Sequence, residues 1–271
     1  MKIVRYLTQN DDTPRPGVLT ENEETILRTT TDNLPQTLQA VSQGGNRADI
    51  LDGTEINRDD VELLAPLQSD NRLFCLGGVY TGHLEDAGLS MMVDPNQWFI
   101  PDNAIVGPDD PIVLPNRVSK KVMPAAELCV VIGRSGKYID PTDAFDHVAG
   151  YSISNDVTAR TDWPGPMAYK MMDTFSPIGP YIRTAEEVSN PGNLDIEMRL
   201  DDEVICEGNT SAMRFTVSFM LSYISTITEL QPGDIISTGD PGGVAKPLEP
   251  GRTVEIEIDD IGELANPVVS E

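Results

Sequence analysis

Long apolar runs are missing from this chain. No stretch approaches the ~20 consecutive apolar residues that a membrane-spanning helix needs. The start, "MKIVRYLTQNDDTPRPG", turns polar too soon for a secretory leader. Both features point to a soluble, cytoplasmic protein with no membrane partner. Cysteine is scarce. Cys75, Cys129 and Cys206 are scattered, odd in number and without metal-ligand spacing, which argues against a disulfide framework and for buried free thiols. Familiar catalytic signatures are missing too. The glycine loop "STGDPGGV" (237–244) lacks the spacing and the Lys-Ser/Thr end of a P-loop, "GGVYTG" is no dinucleotide fingerprint, and no G-x-S-x-G is present.

Positive charge is the other shortage. Lys and Arg number 19 against 44 Asp and Glu, and only six of the 19 are lysines. Without a basic stripe to meet phosphates, nucleic acid is not a partner. The acids form no single tail; they recur as pairs such as Asp11-Asp12, Asp59-Asp60, Asp109-Asp110, Asp201-Asp202 and Asp259-Asp260. A net charge of −25 spread over a normal core repels itself at low salt and is screened at high salt. The pattern reads as adaptation to a salty cytoplasm, that of a halophile. The melting temperature is therefore expected to rise from dilute buffer to molar KCl, and equal values in the two would contradict the reading.

What is present suffices for a folded enzyme-sized chain: 271 residues, 39% hydrophobic. Residues 1–70 read as a small N-terminal domain, with strands in "KIVRYL" and "GVLTENEETILRT" and a short helix in "NLPQTLQAVSQG". Residues 71–271 form the larger domain, rich in strands punctuated by Pro and Gly. "AELCVVIG" is a buried strand. "LDIEMRL" alternates cleanly, with Leu194, Ile196, Met198 and Leu200 on one face. A helix start is read at Asp140 to Asp143. "TVSFMLSYISTI" is helical, with Val217, Met220, Leu221, Ile224 and Ile227 on one side. The fold class is α+β, mainly β.

Chemistry can sit in four places. His83, one of two histidines, is followed by Glu85 and Asp86; it is a general base on water, or a solvated loop residue. Glu127 stands at the mouth of the buried strand and needs a cation or donors. Asp156 ends another strand. With Glu127 it would suit a hard cation such as Mg²⁺ or Mn²⁺; alternatively it pairs with Arg160. Lys170, the one lysine between Lys137 and Lys246, would bind a substrate carboxylate or stabilise an enolate, or would be a surface lysine.

Taken in order, "GGVYTGH", "PDDPIVLP", "AELCVVIG", "DHVAGYSISNDVTAR", "YKMMDTFSPIGP", "LQPGDIISTGDPGGV" and "IDDIGELANPV" resemble the fumarylacetoacetate hydrolase superfamily over about residues 71–269. The resemblance implies a rolled, mixed β-sheet catalytic domain with a metal site at its mouth, usually in a homodimer. It implies Mg²⁺ or Mn²⁺, with Ca²⁺ as a third candidate, on Glu127 and Asp156. It implies catalytic roles for His83 with Glu85 or Asp86, and for Lys170. Tyr80, Arg160, Lys170, Thr238, Gly239 and Asp240 would contact a small carboxylic-acid substrate. The expected activity is enolate chemistry on a 2-oxo or 2,4-dioxo acid, first of all hydrolysis of a carbon–carbon bond (acylpyruvase type). Dienoate isomerisation, decarboxylation and dehydration of a 2-keto-3-deoxy sugar acid are the alternatives.

Four positions depart from the family's usual pattern. Ala125 replaces the first acid of a Glu-x-Glu pair, Val79 an asparagine, Ile100 a lysine, and Asp240 a threonine. Losing one of three carboxylates weakens the pull on a divalent ion. A non-catalytic carboxylate binder with a degraded metal site is the second reading.

Overall fold

The computed structural model describes residues 1–45, 47–67, 70–82, 93–161, 166–244 and 246–271. Its centre is the Ala126–Ile132 strand, buried along its whole length. Val148–Asn155 pairs with it antiparallel on one side, and Ile235–Ser237 antiparallel on the other. Leu73–Gly77 then pairs parallel to Ile235–Ser237, and Asn96–Ile100 closes that edge. A strand flanked on both sides and covered on both faces has no solvent side, which is why it reads as an unbroken apolar run.

The side-chain alternation of the central strand builds two cores. Leu128, Val130 and Ile132 face a second, five-stranded sheet and pack with Ile196, Met198, Leu200 and Ile256. Cys129 and Val131 point the other way, toward Leu73, Cys75, Trp98, Leu34 and Leu38. Glu127 shares the parity of Cys129. All three cysteines are buried and free.

Residues 1–70 join the same large sheet, because Lys2–Thr8 pairs antiparallel with Ser176–Thr184, the outer neighbour of Val148–Asn155. The Leu34–Ser42 helix brings Leu34 and Leu38 onto the core. The Val217–Ile227 helix buries Val217, Met220, Leu221 and Ile224 as the spacing requires. Ile227, placed on that face by the sequence reading, is 51% exposed; ten residues on at 100° each, it has drifted off the buried stripe. The helix start read at Asp140 to Asp143 amounts to one short 3₁₀ turn, Ala144–His147. The strand beginning at Val148 takes the chain before a longer helix can form. Among the described residues no helix is long and apolar enough to cross a membrane.

Candidate active site

Three neighbouring strands deliver the site from their ends. Glu127 lies opposite Ser154 in the register, and Cys129 lies opposite Ser237. The Ser237 hydroxyl donates to Glu127 Oε2 at 2.5 Å and shares a 2.6 Å contact with the Ser154 hydroxyl. The Gly239 N–H donates to the same carboxylate oxygen at 3.0 Å. Gly239 has φ +79°, and a Cβ there would sit 2.9 Å from the Leu76 carbonyl. Only glycine lets this amide reach the carboxylate. Thr238 is committed to the sheet, since its N–H and hydroxyl both donate to the Leu128 carbonyl, at 3.0 and 2.9 Å.

Glu127 is 1% exposed. Burial pushes its carboxyl well above the ordinary range, with Asp156 and Asp240 adding to the rise and Ser237 and Lys170 opposing it. Seating such a group costs several kcal/mol, whereas each apolar residue of Leu128 to Ile132 contributes about 1.5–3 kcal/mol on burial. The strand can therefore hold one strained acid at its end.

Asp156 follows the Val148–Asn155 strand, and its N–H donates to the Ala125 carbonyl at 3.0 Å. Its carboxylate pairs with the Lys170 ammonium, not with Arg160. The partner lies 14 residues away in the chain. Arg160 has an exposed position at the cavity described below. Lys170 also donates to the Thr158 hydroxyl at 2.8 Å and lies 5.3 Å from the centre of the Trp98 ring. Burial disfavours its charge, but Asp156, Glu127 and Asp240 together outweigh burial and hold it above the ordinary lysine value. Asp156 Oδ1, by contrast, is buried with no hydrogen-bond partner among the described residues.

A cavity of about 390 Å³ opens over this cluster, with Ala125, Thr158, Arg160, Lys170, Asp240 and Val244 in its wall. The Tyr80 hydroxyl is another buried group without a partner among the described residues. Burial raises its pKa, and the charges of Glu127 and Asp240 raise it further. Ala125 presents only a methyl group, its N–H being bonded to Asn155 Oδ1 at 3.0 Å. Ile100 is buried in the apolar cluster with Trp98 and Leu73, and Val79 is 1% exposed. His83, Glu85 and Asp86 lie outside the described residues.

The structure thus gathers Glu127, Asp156, Lys170, Gly239, Asp240, Arg160 and Tyr80 in one region. Sequence reasoning missed Ser154 and Thr158, and did not place Ser237 against Glu127. Thr158 carried a readable signal, two residues beyond Asp156; the serines meet Glu127 only through strand pairing.

The donor set fits a hard divalent ion. Two buried carboxylates, Glu127 and Asp156, would supply oxygen ligands, and among the described residues Asp156 Oδ1 lacks the partner that a buried oxygen needs. Among the described residues no three His, Cys, Asp or Glu side chains converge on one point. Glu127 and Asp156 would hold such an ion with its remaining positions left to water or substrate.

Residues 72–269 match the family model described as the fumarylacetoacetate (FAA) hydrolase C-terminal domain. The mitochondrial oxaloacetate tautomerase FAHD2A of Homo sapiens is 34% identical, covering 99% of this chain and 92% of the relative. Among solved structures, the 5-carboxymethyl-2-hydroxymuconate delta-isomerase from Mycobacterium smegmatis superposes with a TM-score of 0.84 at 29% identity, covering 100% of both chains. Maleylpyruvate hydrolase from Sphingobium sp. SYK-6, solved in complex with manganese (II) ion and pyruvate, gives 0.82 at 28% identity, covering 100% of this chain and 99% of the other.

Proposed function

This chain belongs to the fumarylacetoacetate hydrolase family, and we propose that it is an enzyme that turns a small 2-oxo acid into its enolate beside Mg²⁺ or Mn²⁺ held by Glu127 and Asp156. The observation that carries the reading is Asp156 Oδ1, buried beside a charged lysine and without a hydrogen-bond partner among the described residues. A purely structural Asp–Lys pair would satisfy both carboxylate oxygens.

When bound, the ion supplies Lewis-acid polarisation of the 2-oxo group. The chain does the rest. Ser237 and Gly239 fix the Glu127 carboxylate by donating to one of its oxygens. Asp156 and Thr158 hold the Lys170 ammonium at the cavity wall, where it donates to a substrate oxygen that gains negative charge. Arg160 offers a guanidinium to the substrate carboxylate.

The relatives' names include a tautomerase, an isomerase and a hydrolase. Enolate formation is the step all three reactions can share. Carbon–carbon hydrolysis asks for more, a water activated by His83 with Glu85 or Asp86, and remains our reading of the full reaction. The compounds in those names carry two or three carboxylates; for this chain we keep only their shared 2-oxo acid part, in its keto or enol form. A homodimer in a salt-rich cytoplasm completes the proposal, on the family resemblance and the acidic composition respectively.

Deuterium exchange tests this directly. In D₂O, C3 protons of 2-oxobutyrate are expected to exchange in the presence of protein and Mg²⁺, and to stop exchanging on addition of EDTA. His83→Ala should keep the exchange and lose acylpyruvate cleavage. Metal binding without exchange would favour a non-catalytic binder.

A further inference from the structure

We propose that Asp240 restricts this site to 2-oxo acids whose remaining chain is uncharged or bears hydroxyls, and turns away dicarboxylates. The inference rests on the enolate reading above and names the substrate class within it.

Asp240 and Arg160 line the same cavity of about 390 Å³, together with Lys170. The Gly242 N–H donates to Asp240 Oδ1 at 2.9 Å, which keeps the carboxylate on the loop that borders the cavity. Asp240 is half-buried, so water screens its charge only in part. That charge is felt at Glu127, Asp156 and Lys170. A carboxylate accepts hydrogen bonds and donates none. It therefore pairs with a hydroxyl on a ligand and repels a second carboxylate.

The test uses two acids with the same five-carbon backbone, 2-oxopentanoate and 2-oxoglutarate. Their dissociation constants are measured by calorimetry on Mn²⁺-loaded protein at low salt. Wild type is expected to prefer 2-oxopentanoate by at least ~10-fold, about 1.4 kcal/mol, and 5-hydroxy-2-oxopentanoate at least as strongly. Asp240→Asn retains an oxygen for the Gly242 bond and should reduce the preference to roughly threefold or less. In wild type, salt should erode the preference, giving a readout that needs no variant. Equal binding of the two acids by wild type, or an unchanged ratio in Asp240→Asn, would overturn the proposal alone. Failure of wild type to bind either acid would overturn it together with the enolate reading.

Discussion

Glu127→Gln is expected to stabilise the metal-free protein. The substitution keeps an oxygen for the Ser237 and Gly239 donors and removes a buried acid that Asp156 and Asp240 already crowd. The sign follows from linkage. The folded-state pKa of Glu127 is raised, so the stability contributed by its protonated form is fully present below the ordinary glutamate range and is lost as pH rises through the raised value. Glutamine carries no such loss. The variant should therefore match wild type in acid and exceed it at pH 8 by about 1–2 kcal/mol, or roughly 2–8 °C in melting temperature. Thermal melts from pH 4 to pH 8 without metal check this. A variant less stable than wild type at every pH would mean that Glu127 is a structural acid.

Lys170→Met should do the reverse, and with a larger effect. Methionine can still pack on Trp98, but it leaves the Asp156 carboxylate buried without its cation. Breaking a buried pair from one side costs roughly 3–5 kcal/mol, and at this chain length roughly 6–20 °C. Protonation of Asp156 would soften the loss at low pH, because burial already raises its pKa and Lys170 is the first group opposing that rise. Proton exchange on the 2-oxo acid should fall by about 10²–10³, the scale on which removal of one oxyanion donor acts. Added Mn²⁺ should restore part of the lost stability, since a cation bound at Asp156 favours the folded state. Denaturant melts with and without Mn²⁺ measure both effects, and no recovery with metal would place Asp156 outside the ion's reach.

Much of the fold could be read from residue periodicity. The Asp195–Leu200 strand has one wet and one dry face, and its alternation shows it. The Ala126–Ile132 strand has no wet face, so only its length and its bounding Gly133 marked it. The 3₁₀ turn at Ala144–His147 had a helix-like beginning, and what ended it was the strand that follows, a tertiary demand invisible in the local residues.

The site was half legible for the same reason. Glu127 and Asp156 stood out as acids at the ends of apolar strands, because such placement is costly unless it is used. Their partners did not stand out. Ser237 is 110 residues from Glu127 and reaches it through strand pairing. Lys170 arrives from a separate 3₁₀ turn, Pro166–Lys170. Arg160, four residues on, was the only partner for Asp156 legible in the sequence, and the packing puts Lys170 there instead. Ala125, read as the site of a missing ligand, does present its methyl to the cavity.

The central claim is that Glu127 and Asp156 hold a divalent ion at the mouth of the sheet. Titration of Mn²⁺ into metal-free protein, followed by electron paramagnetic resonance of the free ion, reaches it most directly. The account predicts one saturable site in wild type, tighter at higher pH because Glu127 must give up its proton. In Glu127→Gln it predicts binding weaker by ~100-fold or more. Equal affinity in the two proteins would contradict it.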